Sequence, residues 1–244
     1  MELIALGAAA ALAGLVRGFS GFGTAMIFLP VAGRVLGPFE AIVALIVMDI
    51  IGPIPLIPRA WRDADKRALG WLVGAMCLTL PIGLAVLSVA PEVLFRWLVS
   101  LVILTLLLAL VLGLRFRGHY GPRAWSIAGG TGGVLGGVAG LPGPPIILLH
   151  MATDQPARVV RGNMMLYLVA ADLAMLAGIA GFGAFDPQAA VVGAGLIVPY
   201  ALAGLIGQRM FDPGREALYA RVAYVIIGVA AIQGLPLWDG FVGA

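Results

Sequence analysis

Apolar residues run along the chain in segments at about 3–16, 24–36, 41–58, 69–88, 93–114, 124–139, 144–152, 163–180, 189–208 and 217–235. A helix needs about 20 residues, at about 1.5 Å each, to cross a hydrocarbon core of about 30 Å. Two pairs of segments fall short of that length: 3–16 with 24–36, and 124–139 with 144–152. The remaining segments approach or reach it. Runs this continuous predict helices, not the alternating strands of a membrane barrel, which are about ten residues long. Each short pair is interrupted at a small-residue cluster, "RGFSGFG" in the first and "AGLPGPP" in the second.

The two short pairs resemble each other. A shift of 119 positions sets Gly14, Gly18, Gly21, Ile27 and Leu29 on Gly133, Gly137, Gly140, Ile146 and Leu148. Each pair is followed by three longer apolar segments, with Pro81 and Pro199 in the second of the three. The chain therefore reads as two related halves, 1–118 and 119–244, each a broken or re-entrant helical hairpin plus three transmembrane helices. The fold class expected is an all-α polytopic membrane protein.

Composition agrees: 61% of the 244 residues are hydrophobic and 11% are charged, against about 25% charged in a soluble domain. The opening "MELIALGAAAALAGLV" has no basic region ahead of its apolar run and reads as retained structure, not a signal peptide. The basic residues lie in short clusters between apolar segments, a pattern of membrane orientation and not of a nucleic-acid groove. If each short pair enters and leaves on one side, each half crosses three times and the halves are inverted. Twelve basic residues, from Arg59 to Arg221, then share one side against Arg34 and Arg96 on the other. One net crossing per pair divides them seven against seven. The positive-inside rule favours hairpins, with both termini outside.

Non-helical backbone survives at membrane depth only where it lines a cavity or is buried in protein. New helices are expected to start at Thr24 and at Pro144, and helix N-termini carry N–H donors and partial positive charge. Two of them around one midplane cavity would make an anion site. Arg17 adds a full charge and a planar fork of donors. The expected substrate contacts are Arg17, the Ser20 and Thr24 hydroxyls, and backbone N–H groups around Gly21, Gly23, Gly140 and Gly143. The competing reading makes the glycines helix-packing positions and lets Arg17 snorkel to an interface.

Asp49 and Asp172 lie inside apolar segments, where ionisable groups are costly and often functional. They are the candidates for proton coupling, against a purely structural role. Asn163 opens the segment after the second hairpin, as a substrate contact or a helix cap. His119 and His150 are separated, and Cys77 is the single cysteine. No metal site, cofactor site or catalytic constellation can be assembled from these residues. Gly129, Gly133 and Gly137 carry GxxxG spacings that leave a homodimer open.

At "GLVRGFSGFGTAMIFLP" and "GGVLGGVAGLPGPPIILL" the chain resembles the TauE/SafE family of membrane permeases, with the duplicated halves covering nearly its whole length. The resemblance implies a carrier of sulfur-containing anions such as sulfite or organosulfonates in a bacterial cytoplasmic membrane. The second copy has Gly136 where Arg17 stands, and Pro142 and Gly143 in place of Gly23 and Thr24. Side-chain contacts are therefore expected mainly from the first half. The reading is a secondary transporter, outward in direction, that alternates exposure of a midplane site. Its rivals are a channel-like anion pore and a membrane assembly protein without transport. An enzyme and a nucleic-acid partner are both disfavoured.

Overall fold

The computed structural model describes residues 2–20, 22–113, 121–151, 155–210 and 216–238. Gly21, Arg115, Arg117, His119 and Arg215, and both chain ends, lie outside the described residues. The elements are α1 (Glu2–Ser20), α2 (Thr24–Ala32), α3 (Pro38–Asp49), α4 (Ile57–Asp63), α5 (Lys66–Val89), α6 (Glu92–Val111), α7 (Pro122–Ala139), α8 (Pro144–Met151), α9 (Ala157–Gly181), α10 (Pro187–Met210) and α11 (Glu216–Gly234). Short 3-10 turns lie at Ile54–Leu56 and Pro236–Trp238. No strand occurs among the described residues.

Five of these helices have stretches long and apolar enough to cross a membrane: Glu2–Ser20, Lys66–Val89, Glu92–Val111, Arg158–Gly181 and Pro187–Met210, with a shorter apolar helix at Leu218–Gly234. Large apolar side chains stand outward on them, as with Leu78 at 79% and Val89 at 83% exposure on α5. Such a surface suits lipid and not water. The chain is a multi-pass, all-helical membrane protein.

Both breaks fall where the sequence places them, with α2 opening at Thr24 and α8 at Pro144. Two elements differ from the expectation. Segment 3–16 continues as helix through Arg17 to Ser20, because arginine is a good helix former and the disruptive residues begin only beyond it. Segment 41–58 is not one helix. α3 stops at Asp49, and Pro53, Pro55 and Pro58, which lack N–H donors, turn the chain into a 3-10 turn and the short α4.

The chain divides into two compact units, each drawn from both halves of the sequence. The first comprises Met1–Asp49, Pro91–Leu107 and Asp186–Ala244. In it α1 packs along α10, α10 also packs on α3, and α2 rests on α11. The second comprises Ile50–Ala90 and Leu108–Phe185, where α7 packs along α5 and α9 packs on α5 and α4.

The close helix pairs are glycine seams. A Cβ at Gly14 or Gly18 would strike the carbonyl of Tyr200 or Gly204 on α10, and one at Gly207 would strike that of Leu15. In the second unit, Gly129, Gly133 and Gly137 lie against backbone atoms of Leu72, Met76 and Gly83 to Leu84 on α5. There the Thr79 hydroxyl donates to the Gly130 carbonyl at 2.7 Å. The GxxxG stripe considered for a dimer is thus occupied by packing within the chain.

Gly14→Ala should force α1 from α10 and lower the thermal stability of the purified protein by about 1–3 kcal/mol, the usual cost of overpacking. Gly74→Ala, with nothing within 4 Å of the added carbon, should leave it unchanged or slightly raised. Equal melting of the two variants in detergent would refute the seam.

Candidate functional site

The first break begins where α1 ends. Arg17 lies in the last turn of α1, where exposed carbonyls favour a cation. Ser20 then fastens the turn. Its hydroxyl donates to the Val16 carbonyl at 2.7 Å, lies 3.0 Å from that of Phe22, and accepts from the Phe22 N–H at 3.4 Å. Gly23 has φ +102, a left-handed conformation that favours glycine. It brings no side chain to cap α2, whose first N–H groups have no acceptor within the helix.

Four side chains from four helices meet at this break. The Arg17 guanidinium pairs with the Asp49 carboxylate through Nη1 and Oδ2, and the same nitrogen donates to the Thr24 hydroxyl at 3.2 Å. Tyr200, on α10, donates its hydroxyl to Asp49 Oδ1 at 2.6 Å. The Thr24 and Tyr200 oxygens lie 3.2 Å apart. A tyrosine hydroxyl has one hydrogen, and Asp49 receives it, so Thr24 is the donor in that contact. Donation then runs from Arg17 to Asp49 by two routes that close a ring: directly, and through Thr24 and Tyr200.

Two members of the ring are buried and two are partly exposed. Thr24 is 4% and Tyr200 7% exposed, and the side chains of Arg17 and Asp49 retain 32% and 16% of their accessible surface. Asp49 is the last residue of α3, and a helix C-terminus disfavours negative charge. The carboxylate is therefore held there by Arg17 and Tyr200 against its own helix. Anion-holding chemistry is concentrated in this place: a guanidinium, two hydroxyls and a helix N-terminus.

Of the residues singled out in the sequence, Arg17, Thr24 and Asp49 converge here. Gly23 shapes the break, and Ser20 binds backbone around it. Gly21 lies outside the described residues. Tyr200 escaped the sequence reading; the available signal was a tyrosine one residue after a proline inside the apolar run "LIVPYALAG".

The second break lies in the other unit and differs in kind. The Gly140 N–H is bonded to the Gly136 carbonyl at 2.9 Å, and that of Leu141 reaches Leu135 at 3.3 Å. Pro142, Pro144 and Pro145 have no N–H, and those of Ile146 and Ile147 both go to the Gly143 carbonyl at 3.0 Å. The Gly140 N–H is therefore taken up within the turn, and Gly143 stands at the start of α8 with its carbonyl holding two of that helix's first N–H groups.

Asn163 is not a cap, because α9 begins at Ala157, a turn and a half earlier. It is fully buried, one turn from buried Tyr167. Neither the Asn163 amide nor the Tyr167 hydroxyl has a hydrogen-bond partner among the described residues. Gly132 leaves room for that hydroxyl, since a Cβ there would strike it and come within 2.8 Å of the Pro142 carbonyl. His150 is buried with its ring 5.3 Å from that of Trp125, and Asp172 lies in α9 of the same unit.

A cavity of about 340 Å³ opens elsewhere in the first unit, lined by Arg34, Glu92 and Arg96 among others, and no expected site residue reaches it. No group of three or more metal-ligating side chains occurs among the described residues.

A family model described as Sulfite exporter TauE/SafE matches residues 6–234. A protein named "Probable sulfite/organosulfonate exporter TauE", from Cupriavidus necator (strain ATCC 17699 / DSM 428 / KCTC 22496 / NCIMB 10442 / H16 / Stanier 337), is 27% identical over 235 residues, covering 91% of this chain and 90% of its own. No solved structure matches significantly.

Removing one charge of a desolvated pair leaves the other uncompensated, whereas removing both does not. Arg17→Met and Asp49→Leu should each lower the melting temperature in detergent, and the double variant should recover much of the loss. The expected coupling is about 1–3 kcal/mol. Simple additivity in this cycle would show that the pair does not hold the break together.

Proposed function

Because this chain belongs to the Sulfite exporter TauE/SafE family, whose members are membrane transporters and not enzymes, we propose that it is a secondary carrier of small sulfur-containing oxyanions. The observation that carries this reading is the Arg17 ring at the first break. Sulfite and sulfonates present compact sets of oxygens around one sulfur. Arg17 neutralises the charge, Thr24 and Tyr200 donate hydroxyl hydrogens, and the start of α2 supplies backbone N–H groups. The substrate class follows the name of the Cupriavidus necator relative.

The carrier works in a bacterial cytoplasmic membrane with both termini outside, moves its substrate outward and exposes the site alternately to the two sides. Its halves, 1–118 and 119–244, are inverted copies. The glycines that align at 119 residues, Gly14 with Gly133 and Gly18 with Gly137, each seat a hairpin's first helix against a long proline-containing helix, α10 or α5. That parallel supports the relation between the halves.

Proteoliposomes preloaded with sulfite or a short organosulfonate should take up the labelled anion faster than empty ones, with saturation. Arg17→Gln should weaken binding by about tenfold to a hundredfold, the worth of a charge-assisted hydrogen bond, in protein that still elutes as a folded species. Uptake that neither saturates nor responds to preloading would point to a pore. Unaltered binding by folded Arg17→Gln would remove Arg17 from the site.

A further inference from the structure

We propose that Asp49 is a built-in substitute for the substrate, one that gives up Arg17 only when protonated, so that each monovalent oxyanion binds and moves together with one proton. The proposal rests on the carrier reading and specifies how its site is charged. In this structure the guanidinium is not waiting for an anion. It already holds a carboxylate, whose two oxygens take hydrogen bonds from Arg17 and from Tyr200. A sulfonate offers the same oxygens and one more, so substrate and Asp49 compete for the same donors.

Charge decides between them. Arg17 with ionised Asp49 is neutral. Adding an anion to that pair leaves one negative charge in a largely desolvated place at the C-terminal end of α3. Neutrality returns when Asp49 takes a proton from water as the anion arrives. An O–H bond then forms on the carboxyl, the Arg17 contact to it breaks, and Arg17 closes on the substrate. The groups facing the carboxylate are Arg17 from α1, Tyr200 from α10 and the uncharged Thr24 from α2. Arg17 always keeps its proton and Tyr200 donates its own, which leaves Asp49 as the group that changes charge.

The empty carrier returns with its charges matched in the same way. With Asp49 back on Arg17 the empty site is neutral and crosses its occluded state without a bare charge. An anion and its proton moving together carry no net charge, so efflux is driven by the outward gradient of the acid.

The test uses ethanesulfonate, whose single charge does not change between about pH 5 and pH 8. Calorimetric affinity in the full-length protein should rise about tenfold per pH unit of acidification wherever ligand-free Asp49 is ionised. About one proton should be taken up per anion bound, read from paired buffers of different ionisation enthalpy. Asp49→Asn should bind more tightly than the parent at the alkaline end, with affinity independent of pH. Because its empty site has lost the Asp49 negative charge, its ratio of net efflux to exchange should fall about fiftyfold or more in proteoliposomes. Asp49→Glu should restore pH dependence.

Binding by the parent that is independent of pH and takes up no proton overturns the proposal while leaving the carrier reading intact. That measurement stands even if the variants fail to fold. Absence of ethanesulfonate and sulfite binding in folded parent protein overturns both.

Discussion

A guanidinium among apolar helices has to be answered by negative charge, and much of the first unit is arranged around that demand. Arg17 enters at the end of α1 because the next helical turn gives way to Ser20 and Gly23. Asp49 arrives from α3 because the prolines beyond it stop that helix at the carboxylate. Thr24 is the first residue of α2, and Tyr200 comes across from α10. Donation runs from Arg17 to Asp49 both directly and through Thr24 and Tyr200, so losing any member leaves a donor or acceptor without its partner. Such losses are costly where water cannot substitute.

The ring is reachable only because backbones approach closely. Lipid gives helices no hydrophobic reason to associate, so contact and complementarity must hold them together. Gly14 and Gly18 on α1 and Gly207 on α10 let the two helices meet with no side chain between them at those points. Tyr200, whose carbonyl lies against Gly14 and whose hydroxyl binds Asp49, belongs to both the packing seam and the polar site. Packing and chemistry are therefore joined through one residue. Moving α10 relative to α1 would move the hydroxyl that steadies the carboxylate.

Much of this could be read from the sequence, and the parts that could not share a cause. Helix breaks announce themselves through glycine and proline, so the starts of α2 and α8 were evident. Arg17, Thr24 and Asp49 stood out as polar groups in apolar runs. What composition does not encode is which side chain a distant helix presents. Tyr200 lies 151 residues from Asp49, and a tyrosine in an apolar span looks like ordinary filling until the fold brings it to a carboxylate. The same limit explains Asn163: proximity to a helix start suggested a cap, but α9 begins earlier, at Ala157. The length of segment 41–58 misled for a different reason, since hydropathy counts residues and is blind to the loss of N–H donors at Pro53, Pro55 and Pro58.

The two breaks, alike in sequence pattern, differ in electrical character, and five positions account for the difference. Where the first has Arg17, Gly23, Thr24, Ala25 and Met26, the second has Gly136, Pro142, Gly143, Pro144 and Pro145. Proline at 142, 144 and 145 removes three donors, and the Gly143 carbonyl takes up two of those that remain. Beside the second break stand the buried Asn163 amide and Tyr167 phenol, which are not charged. Both breaks follow a glycine-seamed helix, while the arginine stands at the first of them alone. A second arginine would need a counter-charge of its own, as Arg17 has in Asp49.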